Sequence, residues 1–497
     1  MESRAPDLEP DFDVIEQPEF APDSAWRLFV QSGSGRLGLA LFGGLILISV
    51  WVLVTYPSDF GTAQWSNPSY WANNPRNAPP VWAGFLGQDS AVPQSDFALT
   101  EPSNTSTIPA GEVRQFDAPY RYESSQAPTS LLLTLSGVTF QTRPPAIQGM
   151  LTRPDGGQIR LGSVPIRGPR PNESPPFRRF YDVPERISLG DQQTATDAVR
   201  RFFADTYPDR TLPSDFTQQM PDALFAIPAA DGSGRLEPLH GDYTIRIQTV
   251  VADQTDEIAP MTVTVGGTAF GLMGTDGLGR DLWRGLLYGF PVALVIAALT
   301  SLLSTVIGAS LGIWSGFSGG LTDSLIQRSS DIVSNVPTLP LLIFLVAILG
   351  RHLWLIMAVL VAFSWPGLAI LVRSMVLQLR SGQLVEAARS MGASRARIMA
   401  RHVFPQVAPF IVAQMIFFAP GAILAEAALS FLGLGDPSAP TWGQMLEAGF
   451  RTGALYVGYW WWVLPPGILI VITALAFMLL ALALEPIVDP RLRQTSS

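Results

Sequence analysis

The 497-residue sequence contains no cysteine and no lysine, so the 32 residues counted as lysine or arginine are all arginines. Without cysteine, the chain can form no disulfide, no thiolate metal site and no cysteine nucleophile. Without lysine, it cannot hold the standard phosphate-binding loop, in which a lysine reaches the β- and γ-phosphates of ATP. The three histidines, His240, His352 and His402, are widely separated, which argues against a histidine-based metal site. We therefore expect a non-catalytic chain that needs no cofactor.

The formal net charge is −9, so the chain has no excess of positive charge with which to neutralise nucleic-acid phosphates. We therefore expect no nucleic acid among its partners. The mean hydropathy of +0.26 is instead unusual for a soluble protein. Its apolar residues are concentrated in one block near the start and in several blocks after Leu286, with a long polar stretch between them.

Six apolar stretches are long enough to cross a membrane, because about 20 helical residues span the ~30 Å apolar core of a bilayer. They are 37–55, 286–314, 332–350, 353–372, 407–434 and 455–484. The first could be a signal peptide, but it follows an acidic leader rather than a basic one, so we interpret it as an uncleaved anchor. Tyr456, Tyr459 and the three tryptophans after them predict an aromatic belt at one membrane interface. The pattern is that of an α-helical polytopic membrane protein surrounded by membrane lipids.

Arginine is concentrated between the fourth and fifth of these stretches. This segment contains Arg373, Arg380, Arg389, Arg395, Arg397 and Arg401, and its one acid is Glu386. Because arginine is enriched in short cytoplasmic loops, we expect the segment and, by counting spans, both chain termini to be cytoplasmic. The expected organisation, in an inner membrane, is a cytoplasmic segment 1–36, a first transmembrane helix 37–56, an extracytoplasmic insert 57–269, a five-helix core 270–488 and a cytoplasmic tail 489–497.

The insert is too long to be a structureless loop, and its patterns predict a β-rich domain. A Pro-Asp-Gly-Gly sequence indicates a hairpin turn. The expected strands are 130–140, 243–251 and 261–265, and the hairpin turn is 154–157. Val199 and Phe203 lie on one apolar face of a helix expected at 196–205. The proline- and serine-rich part at 57–128 is expected to be extended or loosely packed.

The arginine-rich segment has the local signals of a helix, a turn and a second helix. Glu386 and the two alanines after it open a short helix whose small side chains allow close approach by another surface. Gly392 can adopt the left-handed conformation that ends a helix, and Ser394 can cap the next one. Pro405 indicates a further break. The pattern favours a docking element or, alternatively, an amphipathic connector that its arginines hold to anionic lipid.

This arrangement resembles the EAA loop of ABC importer permeases. The matching residues are Glu386, Ala387, Ala388, Gly392 and Pro405. In that family, the loop inserts into a cleft of a separate ATPase subunit and transmits ATP-driven closure to the channel. The resemblance implies the type I importer permease fold, with six transmembrane helices and an ATPase-coupling loop at 383–405. It also implies that ATP is hydrolysed by partner subunits.

Further motifs are similar to those of the dipeptide/oligopeptide/nickel subgroup of the same family. They are GTDGLGRD at 274–281, EAALSFLGLG at 426–435, Trp442-Gly443, Trp461-Trp462 with Pro466-Gly467, and DPRLR at 489–493. We expect Asp276, Arg280 and Asp281 to form a structural ion-pair network or, alternatively, to contact substrate. Glu426 is an acid inside a span and should face protein or water rather than lipid, either as a structural contact or as part of the pathway.

The resemblance implies a homologous second permease subunit, two ABC ATPase subunits and an extracytoplasmic solute-binding protein as partners. The expected function is that of a translocation pathway for di- or oligopeptides or a similar small solute, with selectivity largely in the binding protein. The insert departs from the family, whose members usually have a much shorter loop there. It could dock the binding protein or cover the pathway. The alternatives are a membrane-anchored extracytoplasmic enzyme or receptor whose active part is the insert, and an exporter or assembly scaffold.

Overall fold

The computed structural model of the protein describes residues 29–86, 91–109, 111–190, 192–213, 216 and 220–488. Most of the expected cytoplasmic segment 1–36 and all of the tail 489–497 lie outside these residues. The internal contacts divide the chain into two units. The helical unit consists of Met1–Ile48, Ala293–Glu426 and Ile470–Ser497, and the mixed unit consists of Ser49–Val292 and Ala427–Leu469.

Long apolar helices dominate the chain after the insert. The α-helices of the described residues are α1 Gly33–Thr55, α2 Gln193–Thr206, α3 Met220–Leu224, α4 Leu282–Ser318, α5 Gly320–Asn335, α6 Thr338–Leu349, α7 Leu353–Arg380, α8 Gln383–Ser390, α9 Arg395–Ile398, α10 Phe404–Phe431, α11 Trp442–Arg451 and α12 Trp460–Val488. A 3₁₀ turn occurs at Val81–Leu86, and π-helical turns occur at Phe60–Trp65 and Met399–Val403.

Within the described part of the chain, five helices are long and apolar enough to cross a membrane. They are α1, α4, α7, the continuous helix Arg395–Phe431 and the greater part of α12. The longest of these, α4, has 37 residues and is therefore about 55 Å long. These helices account for five of the six stretches predicted from the sequence, so a multi-pass membrane protein is confirmed.

The stretch at 332–350 is not the single straight helix that its hydropathy predicted. Helices α5 and α6 are bent by 78° at Val336 and Pro337. Proline has no N–H to donate, and it drives the preceding residue toward an extended conformation; Val336 accordingly has a ψ of 122°. Helix α6 alone has 12 residues, about 18 Å, which is too short to cross a ~30 Å apolar core. The described chain thus has five candidate spans, or six if the bent pair crosses.

A stripe of glycines packs α4 against α7 within the helical unit. Gly308, Gly312 and Gly316 are four residues apart and therefore share one face of the helix. A Cβ atom at these positions would lie 2.8, 2.7 and 2.8 Å, respectively, from backbone carbonyl oxygens of α7. Small residues allow helix backbones in a membrane to approach this closely.

The mixed unit is built on antiparallel β-strands. They are β1 Ser95–Leu99, β2 Asn104–Ile108, β3 Gly111–Tyr122, β4 Ser130–Leu135, β5 Val138–Phe140, β6 Ala146–Thr152, β7 Gln158–Val164, β8 Phe177–Arg179, β9 Glu185–Ser188, β10 Ala226–Pro228, β11 Leu236–Pro238, β12 Gly241–Val251, β13 Glu257–Ile258 and β14 Met261–Gly266. The two larger sheets have the orders β1-β14-β4-β9 and β2-β3-β12-β6-β7, and the smaller ones are β10-β11 and β13-β5-β8.

The two larger sheets share one apolar core. Successive residues of a strand point to opposite faces, and in β12 the buried face carries Tyr243, Ile245 and Ile247. Leu133 of β4 and Val199 of α2 belong to the same buried cluster. The region at 95–266 is therefore β-rich with a packed helix, in agreement with the sequence pattern.

Two details refine the sequence expectations for the β-rich region. Within 57–128, strands β1 to β3 agree with the extended alternative and not with loose packing, because β3 pairs along its length with β12. The strand expected at 130–140 is divided into β4 and β5 by Ser136 and Gly137. The predicted hairpin is confirmed, since β6 and β7 pair on either side of the turn, with Thr152 opposite Gln158.

Candidate functional site

The segment 383–405, called the coupling segment below, folds as two short helices joined by a glycine turn. Helix α8 contains the Glu-Ala-Ala sequence. Gly392 follows it with a φ of +79°, in the left-handed region that side-chain-bearing residues rarely adopt. Ser394 then caps α9, where its Oγ accepts a hydrogen bond from the backbone N–H of Arg397 at 3.4 Å. The left-handed conformation of Gly392 and the capping hydroxyl of Ser394 therefore define the turn.

Pro405 does not interrupt the helix, contrary to the sequence expectation. The chain remains helical from Arg395 to Phe431, and the turn immediately before Phe404 is the π-helical turn Met399–Val403. Pro405 is the second residue of α10, where its missing N–H is tolerated as it is in the first turn of a helix.

One face of the coupling segment is fixed to the helical unit. Val385, Ala388, Ile398 and Val403 are buried in an apolar cluster with Val372 and neighbouring residues of α4 and α7. Phe317 near the end of α4 and Val376 near the end of α7 belong to the same cluster, so the segment packs on the last turns of both helices. It is a packed element rather than a free connector.

The opposite face is exposed and positively charged. Glu386 and Ala387 are exposed, and Met391 is 81% exposed. The exposed arginines of the segment are Arg389, Arg395, Arg397 and Arg401. Four guanidinium groups and a single carboxylate give this face a net positive charge, which favours a surface of negative potential.

Asp276 and Arg280 come together in a compact turn of the mixed unit, just before α4. Asp276 is 1% exposed, and its Oδ2 accepts a hydrogen bond from Arg280 Nε at 2.5 Å. Its Oδ1 accepts from the backbone N–H groups of Leu278 and Arg280, each at 2.9 Å. The guanidinium carbon of Arg280 lies 4.2 Å from the ring centre of Trp65, a cation–π contact. The buried charge of Asp276 is thus fully surrounded by donors.

Asp281 has a separate position at the start of α4. Its Oδ1 accepts from the backbone N–H groups of Trp283 at 2.9 Å and of Arg284 at 3.4 Å, as a helix-capping carboxylate does. Burial raises the pKa of Asp281 above its ordinary value, although these N–H groups and the charge of Arg284 act in the opposite direction. The structure therefore pairs Asp276 with Arg280, whereas Asp281 caps the first turn of α4 and forms an ion pair with Arg284 at 3.4 Å.

Trp461 and Trp462, which the sequence places in an aromatic belt at a membrane interface, are buried side chains of the mixed unit. They are 3% and 2% exposed. Trp461 Nε1 donates to the carbonyl oxygen of Thr275 at 3.4 Å, and a Cβ on Gly274 would lie 2.9 Å from the Trp461 ring. The first turn of α12 thus packs on the 274–281 turn within the mixed unit.

Glu426 lies in α10 of the helical unit and is 5% exposed. A carboxylate inside a membrane helix is expected to face protein or water, and its burial agrees with this. Glu426 and the coupling segment belong to one unit, whereas Asp276, Arg280 and Asp281 belong to the other.

An ion pair that was not predicted joins α5 to α7. Arg373 donates from Nε and Nη2 to the two carboxylate oxygens of Asp323, at 2.5 and 2.6 Å. Ser315 of α4 donates to the same carboxylate. In the sequence, Asp323 and Arg373 each lie at the edge of an apolar stretch, where a charge indicates only the boundary of a span. Their pairing depends on the packing of α5 against α7, which the hydropathy pattern does not reveal.

Comparison with known proteins identifies the family. Residues 308–494 match the model described as the binding-protein-dependent transport system inner membrane component. A putative peptide transport system permease protein of Brucella suis biovar 1 is 41% identical over 45% of this chain and 74% of that protein. The chain belongs to this family of ABC importer permeases. The resemblance inferred from the Glu-Ala-Ala motif is thereby confirmed.

A second curated relative of this permease agrees with the assignment. The dipeptide transport system permease protein DppC of Bacillus subtilis is 35% identical over 44% of this chain and 69% of that protein. Among solved structures, the inward-facing MetNI methionine ABC transporter matches 42% of this chain and 95% of that chain, with 22% identity and a TM-score of 0.33. The family model begins within α4 of the permease, so the match leaves out residues 57–269.

Proposed function

We propose that this permease forms, with a homologous second permease, the pathway of an ATP-driven importer of di- and oligopeptides. Two separate ABC ATPase subunits would supply the energy, and an extracytoplasmic binding protein would deliver the solute. The assignment to peptides rests on relatives whose names specify peptide or dipeptide transport. The coupling to ATPases rests on the geometry of the coupling segment.

The observation that carries the proposal is the two-sided packing of the coupling segment. Its buried face is continuous with the core of the helical unit at the ends of α4 and α7. Its exposed face offers four arginines and the protruding side chain of Met391. An ATPase that binds this face differently in its open and closed states would shift the equilibrium between two arrangements of the helices.

The proposed role can be tested in a complex reconstituted in vesicles with its ATPases and binding protein. A Cβ at Gly392 would meet no atom within 4 Å, so Gly392→Val strains only the backbone of the turn. We expect this variant, and Glu386→Phe on the exposed face, to retain ATP hydrolysis while peptide uptake per ATP falls at least roughly tenfold, an effect of about 1.4 kcal/mol. Gly458→Val is the matched control, because Gly458 has a φ of +81° and open space around it but lies outside the segment. Unchanged uptake in both coupling variants would refute the proposal.

We propose six membrane crossings in an inner membrane, with the bent pair of α5 and α6 as the third and with both termini cytoplasmic. The expected boundaries are those given above, with the insert 57–269 outside and the coupling segment inside. Because the chain has no cysteine, a single introduced cysteine reports its own side of the membrane. Ser233→Cys, in an exposed turn of the insert, should react with an impermeant maleimide in intact cells, and the exposed Ser390→Cys should react only after permeabilisation. Reaction of both in intact cells would overturn this topology.

We assign Asp276, Arg280 and Asp281 a structural role at the start of α4. The donors around Asp276 and the capping contacts of Asp281 support this role over contact with substrate. We likewise assign Glu426 a structural polar contact inside the helical unit. Substitution of Asp276 or Glu426 should then lower the amount of folded protein without changing which peptides compete for uptake.

A further inference from the structure

A cavity of about 250 Å³ lies among three helices of the helical unit, α4, α7 and α10. One liquid water occupies about 30 Å³, so the space is larger than a single water requires. Small residues of α10 leave this room, and a Cβ on Gly421 would meet no atom within 4 Å. The residues that matter for its chemistry are Thr300, Ser304, Ser364, Gly421, Ala422 and Ala425.

Two hydroxyl groups of the cavity wall have no hydrogen-bond partner. Thr300 and Ser304 are 3% and 1% exposed, and the oxygens of both side chains are unpartnered within the described residues. Hydroxyls in apolar helices usually donate to a carbonyl one turn earlier in their own helix. Ser364, on the opposite wall, does so, with its Oγ 2.6 Å from the carbonyl oxygen of Leu360. The two α4 hydroxyls are therefore available to a group that enters the cavity.

The position and charge of the cavity define what it can hold. Thr300 is the central residue of α4, Leu282–Ser318, and therefore lies near the middle of a helix that is long enough to cross the membrane. The cavity lining contains no charged side chain. An unneutralised ion at this depth would be strongly disfavoured, whereas an uncharged group that both donates and accepts hydrogen bonds would satisfy the buried hydroxyls.

We propose that this cavity is a binding site along the solute pathway that accepts the uncharged amide groups of a peptide backbone. Thr300 and Ser304 are its hydrogen-bonding residues, and the small side chains of α10 admit the backbone. The inference rests on the proposed function and deepens it by naming the chemistry that the permease itself recognises. Recognition of backbone amides would allow many peptide sequences to pass through one site.

Thr300→Val and Ser304→Ala test the proposal, because each removes a hydroxyl while nearly preserving the shape of the wall. Thr305→Val is the matched control. Thr305 is also buried and has an unpartnered hydroxyl, but it is not part of the cavity wall. Uptake of tetra-alanine and of alanyl-alanyl-lactyl-alanine, in which an ester replaces the central amide far from both charged termini, is measured in the reconstituted complex with saturating binding protein. The ester lacks the amide N–H.

We expect each cavity variant to lower tetra-alanine uptake about fivefold, as the loss of one net hydrogen bond implies. The ratio of tetra-alanine uptake to uptake of its ester analogue should fall as well, while the control keeps the wild-type ratio. Any preference of the binding protein cancels when variants are compared with the wild type. An amide-to-ester uptake ratio that is equal in the wild type and both cavity variants would overturn this inference and leave the proposed function standing. Absence of tetra-alanine uptake by the wild-type complex would instead overturn the proposed function.

Discussion

Gly312 offers a direct test of how closely α4 and α7 approach each other. A Cβ at this position would lie 2.7 Å from the carbonyl oxygen of Ala369 and 2.9 Å from the Cβ of Val372. Both neighbours belong to, or are attached directly to, the backbone of α7, so neither can rotate away. Gly312→Ala must therefore separate the two helices by roughly 0.7 Å before these atoms reach ordinary contact distance.

The expected loss of stability follows from two opposing effects. Overpacking of this kind typically costs about 1–3 kcal/mol, whereas alanine is favoured over glycine inside a helix by about 1 kcal/mol. Gly312→Ala should therefore lower the free energy of unfolding by up to about 2 kcal/mol. Gly367→Ala, in α7, is the control, because a Cβ there would meet no atom within 4 Å. It should instead raise stability by as much as about 1 kcal/mol.

The free energy of unfolding of each variant can be measured in mixed micelles by tryptophan fluorescence. A triple variant with alanine at Gly308, Gly312 and Gly316 adds a second criterion. One outward movement of α7 relieves all three close contacts. The triple variant should therefore lose clearly less than three times the free energy of unfolding that Gly312→Ala loses. If Gly312→Ala proved as stable as Gly367→Ala, the close approach of the two backbones would be refuted.

Three further predictions concern the mixed unit, and each is checked by urea unfolding of the purified chain. Arg280→Ala leaves the buried carboxylate of Asp276 unpaired and should lower the free energy of unfolding by about 3–5 kcal/mol; a loss below 1 kcal/mol would contradict the geometry described for this pair. Arg153 is buried and donates to three backbone carbonyls, so Arg153→Met should cost about 3 kcal/mol or more, and equal stability would exclude that role. The guanidinium of Arg179 lowers the pKa of Glu173 to about 2. The stabilisation of the folded state by this pair is therefore complete above pH 4.5 and is lost as the pH falls toward 2. The difference in urea midpoint between the wild type and Glu173→Gln should shrink over that interval, and a constant difference would count against the pairing.

The local conformation of the coupling segment could be predicted because it depends on single residues. Only glycine adopts a φ near +79° without strain, and a serine ahead of a helix caps it through its own hydroxyl. These effects act over a few residues, so the sequence reveals them. The break expected at Pro405 is absent because the proline falls in the first turn of α10, where a missing N–H is tolerated.

The bend at Val336 and Pro337 was missed for a different reason. A hydropathy window averages over about 19 residues and does not register a change of direction. Pro337 was visible in the sequence, but a proline inside an apolar stretch can also kink a helix without ending it. α7 illustrates this, because Pro366 lies within it and the helix continues.

The tryptophans at the start of α12 show the limit of composition as a guide to environment. A cluster of aromatic residues beside an apolar stretch is typical of a membrane interface. In this chain Trp461 instead meets Gly274 and Thr275, nearly two hundred residues earlier. Contacts between residues so distant in sequence follow from the tertiary fold, as does the pairing of β3 with β12.

Helices α5 and α6, which are bent by 78°, also determine whether the number of membrane crossings is odd or even. If the bent pair crosses the bilayer, an odd number of crossings separates the insert from the coupling segment, and the two face opposite compartments. If the pair enters and leaves on one side, that number becomes even, and the β-rich region would face the same compartment as the arginines of the coupling segment. The path of the chain on either side of Pro337 thus distinguishes two opposite topologies of the same sequence.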